Sequence, residues 1–238
     1  MARATRYGID GWPYLAGFGT ATLALGAAGV ATRHRPPLGL GLLAGAAACA
    51  VPTALGTRYV THGKFALRDR LLDTWDWRGD ETVVDLGAGT GLLALGALHR
   101  TRGRAHAVDL FIGRDLSRNS SHVLRANADA EGVRDRLVVH RRDVRDTGLP
   151  TGHADVVVSS LCLHNLAARA DREAALSEAV RLLAPGGGLL LSDLAHVDDE
   201  YAPFLRSRGV TVLRTAGVPG TFPRQRLLVA RAPTGSTP

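Results

Sequence analysis

One stretch of this chain, VVDLGAGTGLLAL at residues 83–95, constrains its fold more than any other. The stretch begins as an apolar run, places Gly87, Gly89 and Gly91 at every second position, and continues with leucines at helical spacing. Glycine adopts left-handed backbone conformations easily and lets a ligand approach the main chain closely. The pattern therefore predicts a buried strand, a tight turn that grips a ligand through its backbone, and a helix that packs back on the strand.

Short apolar runs recur beyond residue 64, and helical patterns lie between them. The predicted strands are Thr82–Leu86, Ala105–Leu110, Leu137–His140, Asp155–Ser159, Leu189–Ser192, Val210–Leu213 and Leu227–Ala230. The predicted helices are residues 64–75, Leu92–His99, Ser117–Ala130, Ala167–Leu183 and Val197–Arg206. Such alternation is typical of a parallel sheet that is covered on both faces. We therefore predict an α/β fold with a Rossmann-like, seven-stranded, mostly parallel sheet and helices on both faces.

The glycine turn departs from the common nucleotide-binding patterns. Leu92 stands where the third glycine of the dinucleotide fingerprint would fall. Asp85 precedes the first glycine by two residues, and its carboxylate would repel a pyrophosphate. A ligand that carries an ammonium or sulfonium group would be attracted instead.

VVDLGAGTG resembles the first motif of the class I S-adenosylmethionine-dependent methyltransferases. The segments AHAVDL, VVHRRDV, ADVVVSSLCLHNL and RLLAPGGGLLLSDL follow in that family's order, so the resemblance covers roughly residues 78–230. It implies S-adenosylmethionine as cofactor, with Asp109 on the ribose hydroxyls and Asp143, beside the Val144 backbone, on the adenine amino group. The full set of cofactor-binding residues that it implies is Asp85, Gly87, Ala88, Gly89, Thr90, Gly91, Asp109, Leu110, Asp143, Val144 and Ser160.

Each of these assignments has a structural alternative. The glycines could form only a tight turn, Asp109 could cap a strand end, and Asp143 could pair with the neighbouring arginines on the surface. The family usually passes from its second acid directly into a helix, whereas FIGRDLSRNS intervenes here. We expect the helix to begin with Asp115 or Ser117 as N-cap. Which residue of 110–112 would cover the adenine is left open.

His164 and Asn165 are the candidate catalytic residues, because they follow the strand that in this family ends over the transferable methyl group. A base is needed only if the acceptor atom must lose a proton. His164 would then be the base or a substrate ligand, and the alternative is a buried histidine that bonds a loop carbonyl. Asp193 and His196 follow the next strand and are further candidates.

Two uncharged apolar stretches precede the α/β region, at residues 11–31 and 38–55. Each approaches the length that spans a bilayer. We predict a membrane hairpin over residues 1–60, a methyltransferase domain over 61–232 and a disordered tail over 233–238. The basic residues on both flanks favour a cytoplasmic domain with only the turn outside. A soluble helical cap, an oligomer interface and a cleaved signal peptide are the alternatives, and Gly41 and Gly45 form a GxxxG pair that would suit a homo-oligomer.

Composition bears on the partners. The net charge of +7 would suit nucleic acid or an anionic membrane, although a genome that favours arginine would give the same balance. Methyltransferases that act on amino groups of DNA bases, protein glutamine or related planar nitrogens carry an Asn/Asp-Pro-Pro-aromatic motif in the fourth-strand segment. That motif is absent here, so a nucleic-acid base is disfavoured as acceptor. Two unpatterned cysteines predict reduced thiols and no metal site. We predict a small or lipid-like methyl acceptor; the alternatives are a cofactor-binding sensor or interaction subunit without transferase activity and, less favoured, an RNA methyltransferase.

Overall fold

The computed structural model describes residues 6–113 and 116–235. Its helices are α1 (Trp12–Ala31), α2 (Pro36–Arg58), α3 (Lys64–Leu72), α4 (Leu92–Leu98), α5 (Ser121–Ala130), α6 (Arg169–Leu182) and α7 (Ala202–Ser207). Its strands are β1 (Val83–Leu86), β2 (Ala105–Val108), β3 (Leu137–His140), β4 (Ala154–Ser160), β5 (Leu183–Asp193), β6 (Thr211–Val218) and β7 (Gln225–Arg231). Single turns of π-helix at Tyr59–Gly63 and Val197–Tyr201 precede α3 and α7.

The seven strands form one sheet in the order β3-β2-β1-β4-β5-β7-β6. The first five strands pair in parallel, and β7 pairs antiparallel with both β5 and β6. The predicted Rossmann-like, mostly parallel sheet is therefore confirmed. The carboxyl ends of β1, β2, β4 and β5 meet at one edge, which is where ligands of such sheets bind.

Side chains from alternate strand positions fill a core on each face of the sheet. One face buries Val83, Val156 and Leu190 against α3, α4 and α5. The other buries Val84, Val157 and Leu191 against α6 and α7. The near-continuous apolar runs in the sequence arise because the central strands have no solvent-facing side.

The two apolar stretches form a helical hairpin that projects from the α/β domain. Trp12–Ala31 and the longer helix that begins at Pro36 are each long and apolar enough to cross a membrane. The 20 residues of α1 correspond to about 30 Å of helix, the thickness of a bilayer's hydrocarbon core. Most of the hairpin's apolar side chains face outward; Leu23, for example, is 76% exposed.

Small residues let the two helices approach closely near the turn. A Cβ on Gly39 would lie 3.2 Å from the Gly29 carbonyl oxygen, so a larger residue there would push the helices apart. Threonine hydroxyls along the hairpin donate to the carbonyl four residues earlier, as in Thr22 to Phe18 and Thr53 to Cys49. These bonds satisfy polar groups without water, which a hydrocarbon environment requires.

The second hairpin helix enters the domain without a loop. α2, the π turn Tyr59–Gly63 and α3 form one continuous helix, so the predicted boundary at residue 60 falls within it. The Gln225 side-chain amide donates to the Tyr59 hydroxyl over 2.8 Å, and a Cβ on Gly63 would lie 2.7 Å from the Gly220 carbonyl oxygen. The hairpin is thereby packed against the β6–β7 turn.

The prediction was wrong about where several elements begin and end. α5 begins at Ser121 instead of Ser117, and its N-cap is Ser120, whose hydroxyl accepts from the Val123 N–H. Asp115, the other proposed N-cap, lies outside the described residues. β5 and β6 are longer than predicted, because β5 begins where Leu183 pairs with Ala154 of β4 and β6 pairs with β7 from end to end.

Candidate active site

The glycine loop between β1 and α4 has the left-handed backbone that its sequence predicts. Gly87, Gly89 and Gly91 have φ values of 78°, 54° and 94°. A Cβ on Gly87 would lie 2.3 Å from the Cys162 Sγ, and one on Gly91 would lie 2.3 Å from the Leu124 Cδ1. Both backbone angle and space therefore demand glycine at these two positions. Ala88 and Thr90, between the glycines, are buried.

Asp109 lies just beyond the carboxyl end of β2 and faces the glycine loop. Its Oδ2 accepts from the Gly89 N–H over 2.8 Å, and its Oδ1 accepts from the Phe111 N–H. The Asn119 side-chain amide lies 3.4 Å from the same Oδ1. A carboxylate offers about four lone-pair positions, so with these three contacts Asp109 retains capacity for about one further donor.

Asp85 lies beneath the glycine loop at the end of β1. It is 1% exposed, and its Oδ2 accepts from the Ala94 N–H over 2.8 Å. Burial, aided by the nearby charge of Asp109, raises the pKa of Asp85 to about 7. Above that pH its carboxylate would act on a ligand above the loop through its charge, from a position enclosed by protein.

Replacing Asp85 with asparagine is expected to stabilise the protein at pH 8. Because the pKa of Asp85 is about 7 when folded, against 3.8 for the free side chain, the folded state holds the proton more tightly. Stability therefore falls as the pH rises from about 4 to about 7, and the variant loses this penalty, which is on the order of 4 kcal/mol. Melting temperatures from pH 5 to pH 8 measure the effect.

The exposed Asp80 provides the matched control, since Asp80→Asn should leave the pH dependence as it is in the unaltered protein. An Asp85→Asn variant whose stability fell with pH as steeply as that of the unaltered protein would contradict the assignment.

Several acidic side chains lie close together beside the glycine loop. Cys162, which packs against Gly87, has its thiol pKa raised by burial and then by the charges of Asp109, Asp193 and Asp85. Such a field disfavours an anionic ligand and favours a cationic one. The site electrostatics thus agree with the preference for a sulfonium over a pyrophosphate.

His164 and Asp193 form a hydrogen-bonded pair at the carboxyl ends of β4 and β5. The His164 Nδ1 lies 2.5 Å from the Asp193 Oδ1, and the His164 backbone N–H donates to Oδ2 over 3.1 Å. Because a carboxylate only accepts, the neutral imidazole in this contact has its proton on Nδ1 and its lone pair on Nε2. The His164 side chain is 21% exposed and Asp193 is 1% exposed, so a buried acid orients a reachable base.

Other predicted site residues have varied surroundings. Ser160 ends β4 and pairs with Ser192 of β5. Asn165 is exposed, and its amide lies 3.4 Å from the Leu161 carbonyl oxygen. Leu110 is exposed on the loop beyond β2. Their roles toward a ligand remain predictions.

Asp143 is engaged in the surface ion pair that was its structural alternative. The Arg145 Nε donates to Oδ1 over 3.0 Å and Nη2 donates to Oδ2 over 2.7 Å. These bonds hold the pKa of Asp143 below its usual range. Val144 is buried in the core. An adenine amino group at this position would have to share the carboxylate with Arg145.

Residues 7–10, which were predicted only as part of the hairpin, lie beside the candidate site. The Tyr7 carbonyl oxygen accepts from the Thr90 hydroxyl over 2.9 Å, and residues 9 and 10 pair with residues 116 and 117. Residues 7–10 therefore lie against the glycine loop. In the sequence, the polar residues just before Trp12 are the signal that this segment lies outside the apolar helix.

Comparison with known proteins indicates the family of the α/β region. Residues 83–187, from β1 into β5, match the methyltransferase domain family. The chain carries a methyltransferase domain, and its sheet has the fold of S-adenosylmethionine-dependent methyltransferases. The glycine loop, Asp109 and the His164–Asp193 pair all belong to this methyltransferase domain or directly border it.

Curated relatives match part of the chain. The ribosomal protein L11 methyltransferase of Salmonella arizonae is 33% identical over 148 residues, which cover 60% of this chain and 45% of the relative. That of Escherichia coli is 32% identical over 130 residues, which cover 55% and 39%. The chain thus spans less than half the length of these relatives.

Solved structures share the fold of the methyltransferase domain. The cyclase SpnF has a TM-score of 0.61 at 16% identity, covering 72% of this chain and 82% of its own. A geranyl diphosphate C-methyltransferase from Streptomyces coelicolor, solved with S-adenosyl-L-homocysteine, has a TM-score of 0.58 at 16% identity, covering 70% and 78%.

Proposed function

We propose that this protein is a membrane-anchored methyltransferase that uses S-adenosylmethionine and acts on a small or lipid-like acceptor at the bilayer surface. One observation carries the proposal: α1 begins at Trp12, two residues after Asp10, which pairs with Leu116 beside the glycine loop. A bilayer that holds the hairpin would therefore lie next to the ligand site. An apolar acceptor would reach the site from the membrane without crossing bulk water.

The residues of the glycine loop fit this cofactor. Positive φ angles open the loop to close approach, Asp109 faces it with a lone pair to spare for a ribose hydroxyl, and three buried or half-buried acids favour a sulfonium. Bound there, the cofactor supplies a methyl group that is already activated for transfer. The domain's main task is then to hold the acceptor atom in line at near-contact distance.

His164 is the proposed general base. Its Nε2 would take the proton of an acceptor hydroxyl or amine as that atom bonds to the methyl carbon, and Asp193 would stabilise the resulting imidazolium. Cys162 joins this pair to the glycine loop, because it packs on Gly87 and lies two residues before His164. The base would thus lie within reach of the transferable group.

The charge distribution supports a cytoplasmic domain. Arg58, Arg68 and Arg70 follow the second apolar stretch, whereas the turn of the hairpin carries Arg33 and Arg35. Positively charged flanks stay preferentially on the cytoplasmic side of a membrane. Both chain ends would then be inside, with only the turn outside.

The test is methyl transfer by the full chain reconstituted in lipid nanodiscs. Tritium-labelled S-adenosylmethionine is supplied together with a lipid extract, a small-metabolite fraction or ribosomal proteins, and Asp109→Asn serves as the control that weakens cofactor binding. Label in the lipid or metabolite fraction is the expected result.

Other outcomes identify the competing functions. Label in ribosomal proteins would favour a protein acceptor, as the names of the curated relatives suggest. Cofactor binding without any labelled product would favour a sensor or interaction subunit, since SpnF is a cyclase on the same fold. Label in RNA, with salt-dependent RNA binding, would favour a nucleic-acid acceptor.

A further inference from the structure

Residues Tyr7–Asp10, here called the strap, cross the glycine loop immediately before the first hairpin helix. The Thr90 hydroxyl donates to the Tyr7 carbonyl over 2.9 Å. The Ile9 N–H donates to the Ser117 hydroxyl over 2.8 Å, and the Ser117 N–H donates to the Ile9 carbonyl over 3.1 Å. The strap is thus bonded both to the loop between β1 and α4 and to the connection between β2 and α5.

Leu116 transmits the position of the strap to the glycine loop. Its side chain lies between the two, 3.0 Å from where a Cβ on Gly8 would be and 2.8 Å from where one on Gly89 would be. Gly89 is the residue whose N–H donates to Asp109. Displacing the strap would therefore release Leu116 from its contact with Gly89, where the glycine loop bonds to Asp109, the residue predicted to bind the ribose.

Lys64 holds the strap in place from the hairpin side. It is the only lysine in the chain and is 1% exposed. Its Nζ donates to the Tyr7 carbonyl over 3.1 Å, to the Gly8 carbonyl over 2.6 Å and to the Asp10 Oδ2 over 3.2 Å. All three ammonium hydrogens thus have acceptors on the strap, which is what a buried ammonium requires.

Lys64 also connects the strap to the membrane hairpin. It is the first residue of α3, directly after the π turn that continues α2, so its position is fixed by the same helix that would leave the bilayer. The strap continues into α1 at its other end. Both hairpin helices therefore converge on the strap.

We infer that Lys64 is a positioning residue for the cofactor, which latches the strap over the glycine loop and makes the membrane hairpin part of the cofactor site. This inference rests on the proposed function, because it assumes that the loop binds S-adenosylmethionine. The latched strap slows escape of bound cofactor. It acts on the dissociation rate more than on turnover.

The test compares Lys64→Met with the unaltered full chain in detergent micelles. Methionine keeps the length of the side chain but removes its charge and donors. We expect the Kd for S-adenosylmethionine to rise at least tenfold, chiefly through faster dissociation, while kcat at saturating cofactor stays within twofold. Arg70→Met is the matched control, because Arg70 lies on the same helix and its nearest described partner is the Pro219 carbonyl, 3.5 Å away.

Asp10→Asn is the milder second variant in case Lys64→Met does not fold, and it should raise Kd in the same direction by a smaller factor. Amide hydrogen exchange at Ile9, measured without cofactor, should accelerate in both variants and stay unchanged in Arg70→Met. Folded variants with unchanged Kd and unchanged exchange at Ile9 overturn the latch. An unaltered chain that fails to bind S-adenosylmethionine overturns the proposed cofactor instead, and faster exchange in the variants would then still support the contact between Lys64 and the strap.

Discussion

Replacing Asp193 with asparagine is expected to lower the turnover number of methyl transfer by about two to four powers of ten. The Asp193 carboxylate fixes His164 with its proton on Nδ1 and a free lone pair on Nε2. A carboxamide can instead present its NH₂ group to Nδ1, which allows the tautomer with the proton on Nε2 and leaves no base. Single-turnover kinetics at saturating cofactor measure the loss directly.

The affinity for S-adenosylmethionine should be nearly unchanged in Asp193→Asn, because the glycine loop and Asp109 are intact. His164→Ala should lose turnover to a similar extent, and the double variant should lose little more, since the two residues act as a unit. Asp199→Asn, an exposed acid a few residues further on, is the control with unaltered turnover. Full turnover in His164→Ala would reject the general base.

Replacing Leu23 and Ala47 together with lysine is expected to remove the protein from the membrane fraction. Both residues are exposed near the middle of the two hairpin helices. A lysine at the centre of a span raises the free energy of insertion by about 3 kcal/mol, so the pair costs about 6 kcal/mol, or roughly four powers of ten in the insertion equilibrium. Carbonate extraction of cell membranes followed by ultracentrifugation measures the change.

The matched control is Leu213→Lys with Ala130→Lys, which makes the same two exchanges at exposed positions of the α/β domain. That control should remain in the carbonate-resistant pellet. If the unaltered chain were already soluble, or if the Leu23→Lys and Ala47→Lys pair stayed in the pellet, the membrane hairpin would be refuted and a soluble cap favoured.

The sheet could be predicted from the sequence because each central strand is buried on both faces. Runs such as residues 156–158 are apolar on both faces of the strand, so the strand is evident in the sequence. The glycine spacing at 87, 89 and 91 predicts the strand-to-helix turn. The family motifs then give the order of the segments. The ends of strands were harder to predict, because β5 begins where Leu183 pairs with β4 and β6 extends along its pairing with β7.

Contacts between distant segments could not be predicted. Asp193 and His164 are 29 residues apart, and only the parallel pairing of β4 with β5 brings the ends of those strands together. Lys64 and the strap are more than 50 residues apart. No local pattern marks a lysine as a partner of backbone carbonyls far away in the sequence, so this contact is evident only in the folded chain.

The π turn at Tyr59–Gly63 sets the rotational phase between the two halves of one long helix. A π turn is equivalent to one extra residue in an α-helix, and each residue advances an α-helix by about 100°. Removing one residue there would regularise the helix and swing the hairpin about a third of a revolution around the helix axis. This single extra residue therefore sets the direction in which the hairpin leaves the domain, and in the proposed membrane-bound protein it would also set the tilt of the active site over the lipid.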